Sequence, residues 1–237
     1  MDQFISDLKE WNIELSEDQL IKFEKYKDLL LEWNEKINLT AITDADDIYK
    51  KHFLDSVSLI KSIDDLNNNS YSLLDMGTGA GFPGIPLKIV FPNLNITLAD
   101  SLNKRIDFLN IVINELQLEN ISSIHARAEE LAHDNNFREQ FDIVVSRAVA
   151  NLSVLSEYCI PFVKVDGVFV SYKSGNSLEE INSSKNAIGM LGGKLINVCD
   201  FNLPNSDYSR SNVLIKKIKH TEDRFPRKAG TPSKKPL

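Results

Sequence analysis

Cysteine is nearly absent from these 237 residues: Cys159 and Cys199 are the only two, and they form neither a metal-ligand nor a redox spacing. They are expected to lie reduced in the core of a cytoplasmic protein. The four histidines, His52, His125, His133 and His220, make no H-E-x-x-H or similar cluster, so no metal is expected. The longest apolar stretches are core-strand size and no charged, apolar, small-residue leader opens the chain, so neither a membrane span nor a secretory signal is expected. Glycine is sparse as well, ten in all, yet four fall within the twelve residues Asp75 to Pro86, DMGTGAGFPGIP.

What is present is ordinary in amount and uneven in placement. Hydrophobic residues make up 42% and charged residues 26%, as is ordinary for a soluble globular protein, and the length suggests one large domain with at most a small appendage. Net charge is −7, but residues 210–237 hold nine Lys or Arg against two acids, a balance of +7. Residues 1–209 then carry eighteen against thirty-two, or −14. An acidic body does not advertise RNA binding; a short basic tail does, unless it is only a solvated end.

The first sixty-odd residues read as helical. Ser16-Glu-Asp-Gln19 is a capping-box signature, and after it Phe23, Tyr26, Leu30, Trp33 and Ile37 recur at steps of three and four. A third helix is expected from Thr43 to Asp47 onward, carrying Ile48, Phe53, Val57 and Ile60 inward. The polar stretch DDLNNNS, Asp64 to Ser70, ends this extension, placing a helical unit at 1–66 and a second unit at 67–220.

From residue 71 short apolar runs alternate with helix-length segments, at Ser72–Asp75, Asn95–Ala99, Ile121–Ala126, Phe141–Ser146 and Gly167–Tyr172. Helices are expected at Leu102–Leu118, with Ile106, Leu109, Ile113 and Leu116 on one face, and at Leu178–Leu191, ended by Gly192-Gly193. Such alternation calls for a parallel sheet with helices on both faces. Two further runs, Lys194–Leu203 and Asn212–Ile218, are joined by a turn too short for a crossover, so they should pair antiparallel. Residues 221–237 form a basic tail, expected to be poorly ordered unless bound.

The glycine turn follows the first strand, where an open α/β sheet collects its ligand. Gly79 to Gly84 spell G-x-G-x-x-G, and Asp100, nineteen residues after Gly81, ends the second strand where a carboxylate reaches ribose hydroxyls. Asp100 or Ser101 could instead only cap the next helix. A P-loop is set aside, because no lysine follows the glycines until Lys88. A dinucleotide is weakened because Pro83 and Pro86 remove two N–H donors from the place a pyrophosphate would use. S-adenosylmethionine has no pyrophosphate and loses little to those prolines. The later strand ends bring Lys104-Arg105, Arg127, Arg147 and Lys173 to one rim, a pattern suited to a polyanion.

The runs LLDMGTGAGFPGIPLKIVFP, ADSLNKRIDFL, ARAEEL, SRAVA and FPRKAGTPSKKPL, with LEWNEKINLT and HFLDS in the helical part, resemble the bacterial small-subunit rRNA guanine-N7 methyltransferases of the RsmG (glucose-inhibited division protein B) family. The resemblance implies a class I S-adenosylmethionine-dependent methyltransferase fold, Rossmann-like, whose parallel sheet ends in an antiparallel hairpin. It implies S-adenosylmethionine as methyl donor and a guanine of 16S rRNA, free or in the small ribosomal subunit, as acceptor, with a cytoplasmic monomer expected. By motif matching it assigns Gly77, Phe82, Ala128, Glu129 and Arg147 to the cofactor; the physical reading adds Gly79 and Asp100. Arg127, Arg147 and Lys173 are the candidates for orienting the substrate, with no general base. On this reading the working glycines are Gly77 to Gly81, and the literal G-x-G-x-x-G is a coincidence of spelling.

Overall fold

The computed structural model describes residues 1–175 and 177–237. The chain opens with α1 (Asp2–Lys9) and α2 (Glu17–Ile37). The Ser16 hydroxyl accepts the Gln19 N–H at 3.2 Å, and the Gln19 carboxamide accepts the Ser16 N–H at 2.8 Å, closing the capping box. Phe23, Tyr26 and Leu30 are buried and Trp33 and Ile37 half-buried, as the stripe requires.

The third helix departs from the expected regular form. The Asp44 carboxylate caps α3 (Ala45–Asp47), a π-helical turn follows at Ile48–Leu54, then α4 (Asp55–Val57) and a 3-10 turn at Ser58–Lys61. The inward residues explain it. Ile48 and Phe53 are both buried and stand five apart, a spacing that fits the wider π turn and not 3.6 residues. Phe53 then packs against Phe23, Tyr26 and Phe82, with Tyr26 stacked at 5.1 Å. Aromatic pairs of this kind contribute roughly 0.5–1.5 kcal/mol each beyond their burial.

The sheet is built from β1 (Ser72–Met76), β2 (Asn95–Asp100), β3 (Ile121–His125), β4 (Phe141–Arg147), β5 (Val163–Ser174), β6 (Gly193–Asn202) and β7 (Ser209–Lys217). Between them lie α5 (Gly84–Val90), α6 (Asn103–Glu115), α7 (Ala128–Leu131), α8 (Leu152–Cys159) and α9 (Leu178–Met190), and α10 (Thr231–Lys234) closes the chain. Strand order is β3-β2-β1-β4-β5-β7-β6, with β1 to β5 parallel and β7 antiparallel to both neighbours. Successive strands run outward from β1 in one direction and from β4 in the other, so the switch point lies between those two strands.

β5 starts four residues earlier than the sequence pattern indicates. A bulge shifts its register against β4 between Phe141 and Ile143, and Asp166 adopts φ 71°, so Val163 to Gly167 carries turn-like residues inside a strand. The helical extension covers one sheet face and shares its core: Phe4, Phe23 and Phe53 belong to one apolar cluster with Leu73, Ile96 and Val145.

The tail is packed against the body, contrary to the expectation of a loose end. Phe225 is buried, and the Arg138 guanidinium donates to the carbonyls of Thr221, Phe225 and, more weakly, Glu222. Backbone carbonyls held this way need no apolar sequence pattern, which is why composition did not reveal the packing. Among the described residues no helix is long and apolar enough to cross a membrane.

Candidate active site

A cleft of about 1300 Å³ opens at the carboxyl ends of the parallel strands. The residues singled out in the sequence, Gly77, Gly79, Phe82, Asp100, Arg127, Ala128, Glu129, Arg147 and Lys173, all line it. Lys104, grouped with the rim cations above, is exposed on α6 and does not line the cleft.

The turn after β1 is held from below by Asp75. This buried carboxylate accepts the Thr78 hydroxyl at 2.6 Å and the Gly84 N–H at 2.8 Å, and burial pushes its pKa up to about 6. Above it the four glycines divide by role. Gly79 has φ +62°, and a Cβ there would project into open space in the cleft. A Cβ on Gly81 would instead meet Ile85 at 2.5 Å and the Tyr26 hydroxyl at 2.7 Å, and one on Gly84 would meet Leu98 at 2.3 Å. Gly81 therefore serves packing against the helical extension and does not line the cleft. Gly84 lets α5 approach β2 closely, which is the task of the third glycine in G-x-G-x-x-G, so that part of the spelling is not a coincidence.

The backbone N–H groups of this turn decide which ligand it suits. Gly77 and Thr78 both donate to the Ala99 carbonyl, Gly79 donates to Asp100, and Gly81 and Phe82 donate to the Thr78 carbonyl. Five of the six N–H groups from Gly77 to Phe82 are thus bound within the protein, and Pro83 has none. A pyrophosphate would find almost no donors there. A nucleoside without phosphates needs only the open surface over Gly79 and a carboxylate beside it.

The carboxylate beside the turn is Asp100, and its observed bonds are structural. One oxygen accepts the Gly79 N–H at 3.0 Å, the other the Leu102 N–H at 2.9 Å, and Arg105 lies at 3.1 Å. Leu102 is the N-cap of α6, so Asp100 ties the helix start to the glycine turn. The Arg105 side chain is one-third exposed, while the Asp100 carboxylate is almost wholly buried.

The opposite wall comes from the helical extension, which sequence reasoning did not assign to the site. His52 stacks on Phe82, centroids 4.4 Å apart and planes at 11°, and the Arg147 guanidinium lies 5.1 Å from the Phe82 centroid. Burial and the Arg147 charge lower the His52 pKa to about 3, so the ring is neutral. Because Arg147 offers only donors toward Nδ1, the ring proton belongs on Nε2, which donates to the Thr40 hydroxyl at 2.8 Å. Asp55 is gripped from two sides, by Arg147 at 2.7 Å and by Arg210 at 2.8 Å.

Lys173 pairs with Glu180 at 2.7 Å and donates to the Ala150 carbonyl. Arg127 is exposed and makes no side-chain bond to any described residue. Glu129 accepts the Gly230 N–H at 3.0 Å, bringing the tail into the lining. Six cations face four carboxylates in the cleft, a positive surface in a negative body. The missed lining residues Thr40, Lys51, His52, Asp55, Arg210 and Gly230 had one signal: most lie in or beside INLT, HFLDS and RKAGTP, motifs quoted above for resemblance alone.

Every carboxylate in the cleft is committed to an internal partner, and no group of three His, Cys, Asp or Glu among the described residues could hold a metal. The site is built to position, with its charged groups braced against one another.

Solved structures of similar shape include a methyltransferase and a protein in complex with AdoMet. The precorrin-6Y C5,15-methyltransferase of Geobacter metallireducens superposes with a TM-score of 0.50 at 16% identity, over 70% of this chain and 87% of that one. The M. jannaschii protein TYW2 in complex with AdoMet superposes with 0.51 at 17% identity, over 69% and 77%. These likenesses establish the fold of the sheet-bearing part, the Rossmann-like class I S-adenosylmethionine-dependent methyltransferase fold, to which α1 to α4 are added as a helical extension. Among sequences, the ribosomal RNA small subunit methyltransferase G of Acetivibrio thermocellus is 54% identical over 227 residues, 96% of this chain and 92% of its own. That of Lactococcus lactis strain IL1403 is 50% identical over 237 residues, covering all of this chain and 98% of its own. The family model for rRNA small subunit methyltransferase G, GidB, matches residues 19–208, taking in most of the extension, the glycine turn, Asp55 and Arg147, and the chain belongs to that family.

Proposed function

We propose that the protein transfers a methyl group from S-adenosylmethionine to N7 of a guanine in 16S rRNA. The supporting observation is the glycine turn: its N–H groups are internally satisfied and Gly79 opens onto the cleft beside Asp100, a setting for a phosphate-free nucleoside. Bound there, S-adenosylmethionine would supply an electrophilic methyl to the N7 lone pair, the methyl C–S bond breaking as the N7–C bond forms and S-adenosylhomocysteine departing.

Guanine N7 carries no proton, so no residue has to act as base, in agreement with the committed state of every cleft carboxylate. Asp100 would take the ribose hydroxyls, the backbone at Gly77 and Gly79 would hold the donor, and Ala128 and Glu129 would contact it on the other side of the cleft. His52, held neutral, adds no charge that would repel a sulfonium. Arg127, Arg147 and Lys173 face the substrate side; a guanidinium there can donate to O6 while leaving N7 free. Alignment of nucleophile and leaving group is then the main source of rate. The protein acts as a cytoplasmic monomer on 16S rRNA, free or in the small subunit.

The test is incubation with labelled S-adenosylmethionine and 16S rRNA, naked and in assembled subunits, followed by mapping of the modified base. Label at N7 of one guanine is expected. No label in any RNA overturns the reading, and RNA binding without transfer would leave a non-enzymatic binding module.

A further inference from the structure

Six tyrosines, twelve phenylalanines and two tryptophans are present, and among the described residues only Tyr208 has an exposed aromatic side chain, at 39%. It stands in the short turn between β6 and β7, a turn closed by the Leu203 N–H on the Tyr208 carbonyl at 3.0 Å. Two cations attend the ring: the Lys51 ammonium is 4.9 Å from its centroid and the Arg210 guanidinium 5.9 Å. Both cations also line the cleft. Tyr208 does not line the cleft itself; it lies beside Lys51 and Arg210 of the lining, in a neighbouring depression where the extension meets the hairpin.

The ring is exposed and holds both cations beside the cleft. Unpaired bases of RNA are held by exposed aromatic rings with cations for the adjoining phosphates. A guanine presented to a cleft must leave its stack, and the neighbouring nucleotide then lies at the mouth with one face uncovered. We infer that Tyr208, flanked by Lys51 and Arg210, is a stacking platform for an unpaired nucleotide next to the target guanine. The inference rests on the rRNA reading above and adds where the strand leaves the site. Asp207 is exposed beside the ring in sequence, and Lys51 and Arg210 each keep a carboxylate partner, Asp47 at 2.8 Å and Asp55 at 2.8 Å.

Removing the ring leaves Lys51 paired with Asp47 and Arg210 paired with Asp55, so the wall should survive the substitution. The test compares Tyr208→Ala and Tyr208→Phe with the unaltered protein in methyl transfer to 16S rRNA, in S-adenosylmethionine affinity and in anisotropy binding of deproteinised 16S rRNA. Tyr208→Ala should raise KM for the RNA and weaken RNA binding by about tenfold, with kcat and cofactor affinity unchanged. Tyr208→Phe, which keeps the ring, should match the unaltered protein. Unchanged RNA binding in Tyr208→Ala overturns the platform, as does an equal loss in Tyr208→Phe, which would point to the hydroxyl. Failure of the unaltered protein to label any RNA would instead overturn the methyltransferase reading, and the anisotropy comparison would still judge the platform.

Discussion

The Arg227 guanidinium closes on both oxygens of the Glu157 carboxylate, Nε at 2.9 and 3.1 Å and NH2 at 2.6 Å, and the Arg227 backbone N–H adds a contact at 2.7 Å. Glu157 is completely buried on α8. The pair thus fastens the basic tail to a helix beneath the sheet's second face, three residues before Gly230 meets Glu129 in the cleft lining.

Breaking that pair from the arginine side should be costly. Arg227→Ala would strand a buried carboxylate and is expected to lower unfolding free energy by about 3 kcal/mol in urea denaturation. Replacing both partners, Glu157→Leu with Arg227→Met, should recover most of the loss. Truncation after residue 221 should weaken cofactor binding along with RNA binding, because Gly230 and Ser233 line the cleft; retained cofactor affinity would restore the idea of a tail devoted to RNA.

Gly79 and Gly81 give a paired test of the turn. Gly79→Ala meets no atom within 4 Å, so its cost is the positive φ alone, about 1–2 kcal/mol. The fold should hold while calorimetric S-adenosylmethionine affinity falls by tenfold or more. Gly81→Ala, which collides with Ile85 and Tyr26, should lose stability first.

Among the substrate-side cations Arg127 offers the clean experiment. Arg127→Ala removes an exposed side chain with no described partner, so stability should change by less than about 0.5 kcal/mol while kcat/KM for rRNA drops at least tenfold. Arg147→Ala should impair transfer and stability together, since it frees the largely buried Asp55. Full activity in the Arg127, Arg147 and Lys173 alanine variants would remove all three from the site.

His52 predicts a pH dependence of defined sign. Its pKa falls from 6.5 unfolded to about 3 folded, so below pH 6.5 the unfolded chain binds a proton that the folded protein refuses. This group's stabilising contribution is present above pH 6.5 and is lost as pH falls toward 3. Asp75, raised from 3.8 to about 6, works oppositely: its contribution is greatest at low pH and is lost as pH rises through 6. Comparing the protein with His52→Gln isolates the first effect. The difference in unfolding free energy should be constant above pH 7 and change by up to about 1.4 kcal/mol per pH unit below 6.5.

One wall of the site was legible in the sequence because parallel strands deliver it locally. Each strand end and the loop after it are contiguous, so Gly79, Asp100, Arg127, Arg147 and Lys173 could be found by locating strands. The other wall depends on partners 92 and 155 positions apart, Arg147 and Arg210 on Asp55, and no periodicity encodes such a meeting. The start of β5 was hidden for a different reason: Asp166-Gly167 reads as a turn, and only the pairing with β4 makes it a bulge. Tail packing was concealed by composition, because Glu157 lies 70 residues away and its charge is invisible as a partner until the chain is folded.

The π-helical turn at Ile48–Leu54 makes the site sensitive to residue count as well as residue type. A π turn closes on residue i+5 where an α turn closes on i+4, so the loss of one residue there changes which side chains between Asp44 and Asp55 face inward, with every side chain chemically intact. Within the extension a deletion is therefore a heavier change than a substitution. The length of chain between Asp44 and Asp55 is itself a component of the cleft.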